Sequence, residues 1–321
     1  MRYRTLGRSG LEVSEIGFGA WGIGGTYWGP TDDRLSLRAL RRAFELGVNF
    51  VDTALAYGNG RSEQLVGRAI REYGGAIRVA TKIPPKGGDW PPRPGTPARV
   101  VFPAEWIIRA TEQSLEHLGL DSLDLQQLHI WLDEWLDEPD WQEAIVRLKA
   151  QRKIRAFGVS VLDHRPDTAL RAITSGLIDS VQVIFNIFDQ SPRDALFPLC
   201  QAHGVGVIAR VPFDEGSLTG AFGPDTRFPP GDFRREYFRG ERLAETLRRV
   251  EGLKFLVRGE IRSLAQAALK FCLSHPEVST VIPGMRRPEH LEANCAAAGV
   301  PLREQELATL RAHAWPRNFY K

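Results

Sequence analysis

The sequence predicts an α/β fold, a (β/α)8 TIM barrel with an N-terminal β-hairpin cap. Three observations carry that prediction: eight short β-branched or apolar runs, amphipathic stretches between them, and chemistry-bearing residues gathered at the ends of consecutive runs. The runs are residues 15–18, 50–53, 78–81, 123–128, 156–159, 180–184, 206–209 and 279–282. Between them, residues 34–46, 62–73, 103–118, 141–150 and 166–175 carry Leu, Ile, Val and Ala at three- and four-residue spacing, the signature of helices with one buried face. Such alternation implies parallel strands joined by crossovers, and eight units close into a barrel.

In chain order, residues 4–13 read as two short extended runs around Arg8-Ser-Gly10, a hairpin placed to cap the barrel base. Gly17-Phe-Gly-Ala-Trp-Gly22 is a literal G-x-G-x-x-G after a strand. A dinucleotide fingerprint requires a helix to open at those glycines, so that its first amides meet a pyrophosphate. Here Gly24-Gly-Thr-Tyr-Trp-Gly-Pro30 follows, and no helix is expected before Thr31. The glycines read instead as a loop that approaches a ligand closely, with Trp21 and Trp28 supplying apolar surface.

Two insertions, residues 84–103 and 213–259, break the regular spacing and both leave the predicted mouth of the barrel, where long loops usually carry function. The acidic run from Asp133 to Asp140 contains no His and reads as a solvated loop leading into a helix capped by Asp140, not as a metal site. The Arg-rich stretch 234–249 interleaves acids and reads as a solvated helix face. Without an internal repeat or a linker, residues 1–321 are expected to form one domain.

Bulk properties exclude several classes. With 43% hydrophobic and 25% charged residues and a net charge of +3, the composition is that of an ordinary soluble protein and demands no nucleic acid. Cys200, Cys272 and Cys295 show no C-x-x-C spacing, which argues against a disulfide framework or metal site and for a reduced, cytoplasmic setting. The N-terminus lacks an apolar signal region, and no membrane-spanning run occurs, so neither secretion nor membrane insertion is expected. No pattern fixes the oligomeric state or the physiological substrate.

Asp52, Lys82 and His129 fall at the C-terminal ends of the second, third and fourth predicted strands, with Tyr57 in the loop after the second. That is the end of a barrel where active sites form. A tyrosine, with an ordinary pKa of about 10, is a poor acid at neutral pH unless a nearby ammonium, itself held by a carboxylate, stabilises the phenolate. Singly, each residue is more often an ion-pairing or packing group. Their joint placement favours one proton-donating site. Trp28, Trp90, Trp131 and Trp135 are candidates for the wall of a substrate pocket, though tryptophan is equally at home in a core.

These residues resemble the aldo-keto reductases over nearly the whole chain. The most specific element is Asp52-Thr-Ala-Leu-Ala-Tyr-Gly58, supported by Gly17–Gly22, Arg155-Ala-Phe-Gly-Val-Ser160, Gln182 with Asn186, Pro212 through Gly220, and Ile282-Pro-Gly284 followed by Asn294. The resemblance implies a barrel that reduces an aldehyde or ketone, reversibly, with a nicotinamide cofactor, NADPH before NADH, and no Rossmann domain. It implies Tyr57 as general acid, Lys82 lowering its pKa, Asp52 pairing with Lys82, and His129 orienting the carbonyl. Trp21 would flank the cofactor, Ser160 and Gln182 would hold its carboxamide, and Phe185 would lie against the nicotinamide. Arg210, Pro212, Phe213, Gly216, Leu218 and Gly220 would cover the pyrophosphate. Ile282, Gly284, Met285, Arg286, His290 and Asn294 would surround the adenosine, with a helix starting near Pro288 favouring an anion there.

Two departures stand out. Val161 replaces the asparagine that usually follows the serine matched by Ser160, and Arg286, Arg287 and His290 reproduce only part of the usual basic set at the adenosine end. Two rival readings remain at this stage. One is a cofactor-binding regulatory protein similar to the potassium-channel β subunits, against which the absence of an N-terminal interaction tail counts. The other is a barrel isomerase or lyase with Lys82 as a Schiff-base nucleophile, for which Asp52 and Tyr57 are poorly suited.

Overall fold

The computed structural model describes residues 1–25 and 27–320 of the chain. β1 (Tyr3–Thr5) and β2 (Glu12–Ser14) form the antiparallel hairpin, with Arg4 opposite Val13. Parallel strands β3 (Phe18–Gly19), β4 (Phe50–Asp52), β5 (Arg78–Ile83), β6 (Leu123–Trp131), β7 (Ile154–Val161), β8 (Ser180–Ile184), β9 (Gly206–Arg210) and β10 (Val278–Val281) follow, each beside the next. Bridges Ile16–Val281 and Gly19–Gly284 join the first of these to the last, and Gly17 N–H donates to Val281 O at 2.9 Å. The sheet therefore closes into the predicted barrel.

Helices Asp33–Glu45, Arg61–Tyr73, Ala104–Leu118 and Pro139–Ala150 stand where the periodicity places them. The first is capped by Asp32, whose carboxylate accepts from Arg34 N–H at 2.7 Å and Leu35 N–H at 3.2 Å. It turns Leu37, Leu40 and Phe44 inward, three and four residues apart. The 166–175 stretch divides into a 3-10 turn, Pro166–Ala169, and a short helix, Leu170–Thr174.

The hairpin is a plug. Leu6, Leu11 and Val13 pack with Phe50, Ala80, Leu125, Ala156 and Ile208, a small apolar cluster inside the barrel base that is separate from the larger core beneath the helices. Packing at the base leaves the opposite end of the strands for polar chemistry.

Four local expectations fail. Trp21–Gly24 form one helical turn ahead of Thr31, with Gly25 left-handed at its end. Asp140 does not cap the helix at 139–150: the N-cap is Glu138, whose carboxylate instead accepts from Ala98 N–H at 2.6 Å and Arg99 N–H at 3.1 Å. The acidic run is not merely solvated, because Trp135 within it is 1% exposed. Nor is 234–249 a plain solvated face: Arg234 chelates the buried Asp232 at 2.9 and 2.5 Å, and Tyr237 and Phe238 are buried.

The insertion after β9 crosses back over the mouth. Phe233 N–H donates to Tyr27 O at 3.0 Å, and Trp28 pairs with Asp232. The C-terminal segment lies beside this strap, where Trp315 N–H donates to Phe188 O at 2.8 Å and Arg317 pairs with Asp214 at 2.5 Å. Among the described residues no helix is long and apolar enough to cross a membrane, and no cluster of metal-ligating side chains occurs.

Candidate active site

Parallel register sets the site. β4 ends in Asp52, β5 carries Lys82 beside Gln127 of β6, and Ser160 of β7 stands opposite Gln182 of β8. All of these side chains are buried at the mouth end of the strands. Lys82 Nζ donates to Asp52 Oδ1 at 2.5 Å, to Thr53 O at 2.8 Å and to Tyr57 Oη at 3.2 Å, which uses the three protons of the ammonium. Asp52 Oδ2 accepts from Gln182 Nε2 at 2.8 Å and from Gln127 Nε2 at 3.3 Å. The His129 ring meets Tyr57 edge-on with centroids 5.5 Å apart.

Tyr57 is positioned by a backbone contact that only glycine permits. A Cβ on Gly58, at φ +63°, would sit 2.2 Å from Gly24 O, and one on Gly24 would sit 2.8 Å from the Tyr57 carbonyl carbon. The glycine-rich loop expected to approach a ligand therefore presses on the backbone of Tyr57.

Charge states follow from burial and neighbours. Burial pushes the Tyr57 phenol above its ordinary value, with Lys82 pulling the other way and Asp52 adding to the rise. Lys82 thus opposes the rise without reversing it. Burial also works against the Lys82 charge, yet Asp52 and Tyr57 outweigh it and hold the ammonium above its usual value. His129 is held well below its usual value by burial, reinforced by Lys82 and Arg210. Its imidazole is neutral at neutral pH, and its Nδ1 is buried without a partner.

The fold brings Asp52, Tyr57, Lys82, His129, Ser160, Gln182 and Arg210 to one end of the barrel. Gln182, expected to hold a carboxamide, spends its amide on Asp52, whereas Ser160 Oγ has no hydrogen-bond partner among the described residues. Trp21 stacks over Tyr57 at 6.1 Å and under Phe233 at 5.2 Å. Trp90, half exposed, meets His129 at 4.8 Å.

Two predicted residues stand elsewhere. Trp131 is 0% exposed, packed against Trp135 and Trp141 behind the sheet, and so lines no opening. Phe185 is likewise fully buried, in an outward cluster with Phe197, Phe271 and His275, and does not face the mouth. Sequence reasoning also missed Gln127, although two adjacent glutamines inside the apolar run Leu125–Leu128 were a visible signal.

Where the adenosine is expected, a cavity of about 260 Å³ is lined by Trp28, Thr31, Arg234, Arg286 and Arg287 among others, with Asp32 and Asp232 as its acids and Asp232 facing Arg234. Burial, and then Arg234, push the Arg286 guanidinium below its usual value. Arg286 Nη1 donates to Trp28 O at 3.0 Å, and an excess of cations remains, the chemistry a phosphate needs. Ile282, Met285 and Asn294 are buried, and His290 is exposed. The loop after β9 satisfies itself: the N–H groups of Gly216 and Leu218 donate to Phe213 O at 2.9 and 3.0 Å, and that of Gly220 to Ser217 O at 3.2 Å. Pro212 is buried and Phe213 half-buried at its start. A larger cavity, about 810 Å³, opens within the insertion between Phe228, Phe238 and Leu247, away from the tetrad.

Comparison with known proteins agrees with this geometry. The family model described as Aldo/keto reductase family matches residues 15–314. The chain is 31% identical over 315 residues to the aldo-keto reductase YhdN of Bacillus subtilis, covering 95% of this chain and 91% of the relative. It is 26% identical over 333 residues to the NADH-specific methylglyoxal reductase of Escherichia coli, covering 98% of each. Its fold superposes on the holo form of the aldo-keto reductase AKR11C1 of Bacillus halodurans with a TM-score of 0.77 at 29% identity, covering 99% of this chain and 97% of that one. With a closed barrel, a polar constellation at its C-terminal mouth and a family match over most of its length, the chain belongs to the aldo/keto reductase family.

Proposed function

We propose that the protein is an NADPH-preferring carbonyl reductase, reversible in principle, in which Tyr57 donates the proton to the oxygen of an aldehyde or ketone. The observation that carries this reading is the threefold contact of Lys82 Nζ with Asp52, Thr53 O and Tyr57 Oη. A charged Lys held this way is no Schiff-base nucleophile, since it has no lone pair to offer. It is suited to stabilise a phenolate 3.2 Å away.

When bound, the nicotinamide supplies the hydride. The residues present fit such a group: Ser160 offers a free hydroxyl at the mouth, and Arg286 with Arg287 and Arg234 offers charge for a phosphate. The same cation excess supports NADPH over NADH. The neutral His129 donates or accepts a hydrogen bond without bringing a second charge to the carbonyl oxygen, and Tyr57 then meets that oxygen from its own side. A complete set of proton-handling groups supports turnover and leaves the regulatory reading without a distinguishing observation.

The test is Tyr57→Phe, with binding of NADPH and NADH followed by fluorescence and turnover followed on a panel of aldehydes and ketones. Turnover is expected to fall by roughly 10²–10⁴-fold while NADPH binding stays within about twofold. An unchanged rate removes Tyr57 as the acid, and tighter binding of NADH than of NADPH removes the stated preference.

A further inference from the structure

Arg210 ends β9, and its Cα is paired with Ile184 on β8. Its side chain extends further: Nη2 donates to Val161 O at 2.9 Å and to Asp163 Oδ1 at 2.6 Å, just beyond the end of β7. Because β8 lies between β7 and β9, the guanidinium crosses the mouth end of the strand that carries Gln182. Nη1 has no hydrogen-bond partner among the described residues, and Nε is buried without one.

The counter-ion is turned outward. Asp163 keeps 41% of its side chain exposed, so water screens its charge, while the Arg210 side chain is 18% exposed. Lys82 is the other cation at the mouth, but the equally buried Asp52 offsets it at 2.5 Å. Glu215, the other acid that interacts with Arg210, has its carboxyl pushed up to about 7 by burial, so below that pH it adds little counter-charge and a net positive field at the reacting centre comes from Arg210. That field reaches Tyr57 and His129, where after burial and Lys82 it is among the causes that act on both groups.

Hydride transfer requires reacting atoms about 3–3.5 Å apart, so a nicotinamide serving a carbonyl at Tyr57 and His129 sits in the same field. In the reduction, the C–H bond at nicotinamide C4 breaks and both its electrons form the new C–H bond at the carbonyl carbon. The proton on Tyr57 Oη passes to the carbonyl oxygen. The ring is neutral before this step and positively charged after it.

We propose that Arg210 discriminates the redox state of the cofactor: its fixed cation favours the neutral reduced ring over the cationic oxidised one, which loads the enzyme with reduced cofactor from a mixed pool and promotes release of spent cofactor, while opposing the charge that develops on the ring during hydride transfer. The proposal rests on the carbonyl-reductase reading above.

Separate titrations of the full chain with NADPH and NADP+, read by cofactor fluorescence and by quenching of protein tryptophan, test it. Arg210→Met is expected to narrow the NADPH-over-NADP+ affinity ratio by about tenfold, chiefly by tightening NADP+; that is about 1.4 kcal/mol, between the strength of a unit-charge pair about 4 Å apart in water and that of such a pair near a protein surface. Arg210→Lys keeps most of the ratio. Asp163→Asn, which removes the counter-ion and leaves Arg210 in place, widens it. A ratio unchanged in Arg210→Met and Asp163→Asn, with NADPH still bound, overturns the discriminator and leaves the reductase standing. Failure of the native chain to bind either cofactor overturns both.

Discussion

Lys82→Met is the substitution whose consequences the geometry fixes best. Lys82 is 1% exposed and Asp52 2%. Methionine approximates the aliphatic stem but deletes the donor to Asp52 Oδ1, Thr53 O and Tyr57 Oη. Removing one partner of a buried ion pair typically costs about 3–5 kcal/mol, because the other charge stays behind. Asp52 would keep the amides of Gln182 and Gln127 at 2.8 and 3.3 Å, which places the cost near the lower end, about 3 kcal/mol. At about 2.1 cal/mol/K per residue, 321 residues unfold with an entropy of about 0.7 kcal/mol/K, so Tm should fall by about 4 °C. Circular dichroism melts of the native chain, Lys82→Met, Asp52→Asn and the double variant measure this. The double variant, which buries no charge at this pair, should lose at least about 1 kcal/mol less than the sum of the singles. A Lys82→Met melt within about 1 °C of native, or strict additivity, would refute a tightly coupled buried pair.

Two further predictions concern stability. Burial pushes the Glu215 carboxyl up to about 7, with the acids Asp214 and Asp163 adding to the rise and the Tyr320 hydroxyl and Arg210 opposing it. Because the folded state holds this proton more tightly than the unfolded state does, the stabilisation is complete below about pH 4.5 and is lost as pH rises through about 7. Glu215→Gln mimics the protonated form, so its Tm should decline less than that of the native chain between about pH 5 and pH 8, by the equivalent of about 3 kcal/mol. Parallel Tm curves would show that the carboxyl titrates at its ordinary value. Trp131→Ala should cost about 3–5 kcal/mol in urea unfolding, since it empties a fully buried site between Trp135 and Trp141 and removes the indole N–H that Asp133 accepts at 3.0 Å. A loss below about 1 kcal/mol with an altered substrate preference would return Trp131 to the pocket wall.

Periodicity made the barrel legible because its strands and helices alternate with few exceptions. The predicted fourth strand at 123–128 extends to Trp131 in the fold, since the apolar pattern resumes after His129. Legibility failed where a side chain's direction depends on a partner far away in sequence. Phe185 and Trp131 are aromatic residues at strand ends, and nothing local says whether such a ring turns to the mouth or to the helices. Distant contacts settled both: Phe271 and His275 took the first, Trp141 the second. Arg234 was misread for the same reason, as its partners Trp28 and Asp232 come together only when the strap closes. Asp52, Tyr57 and Lys82 were readable because each lies at or just beyond a strand end, where topology alone sets the neighbourhood.

The direction of the Tyr57 shift bears on how the proposed acid works. An acid that is to deliver a proton only as hydride arrives must keep it until then, and burial keeps the phenol protonated across neutral pH. The cost appears when the proton leaves, since a buried phenolate is expensive. Lys82, already charged and already within 3.2 Å, is placed to lower that cost without moving. Its own charge is secured by Asp52, which in turn is held by Gln182 of β8 and Gln127 of β6, reaching across the barrel mouth. A buried ion pair of this kind is seldom worth more to stability than apolar packing of the same volume. Its presence at the one end of the barrel that the hairpin does not plug is better explained by proton transfer than by folding.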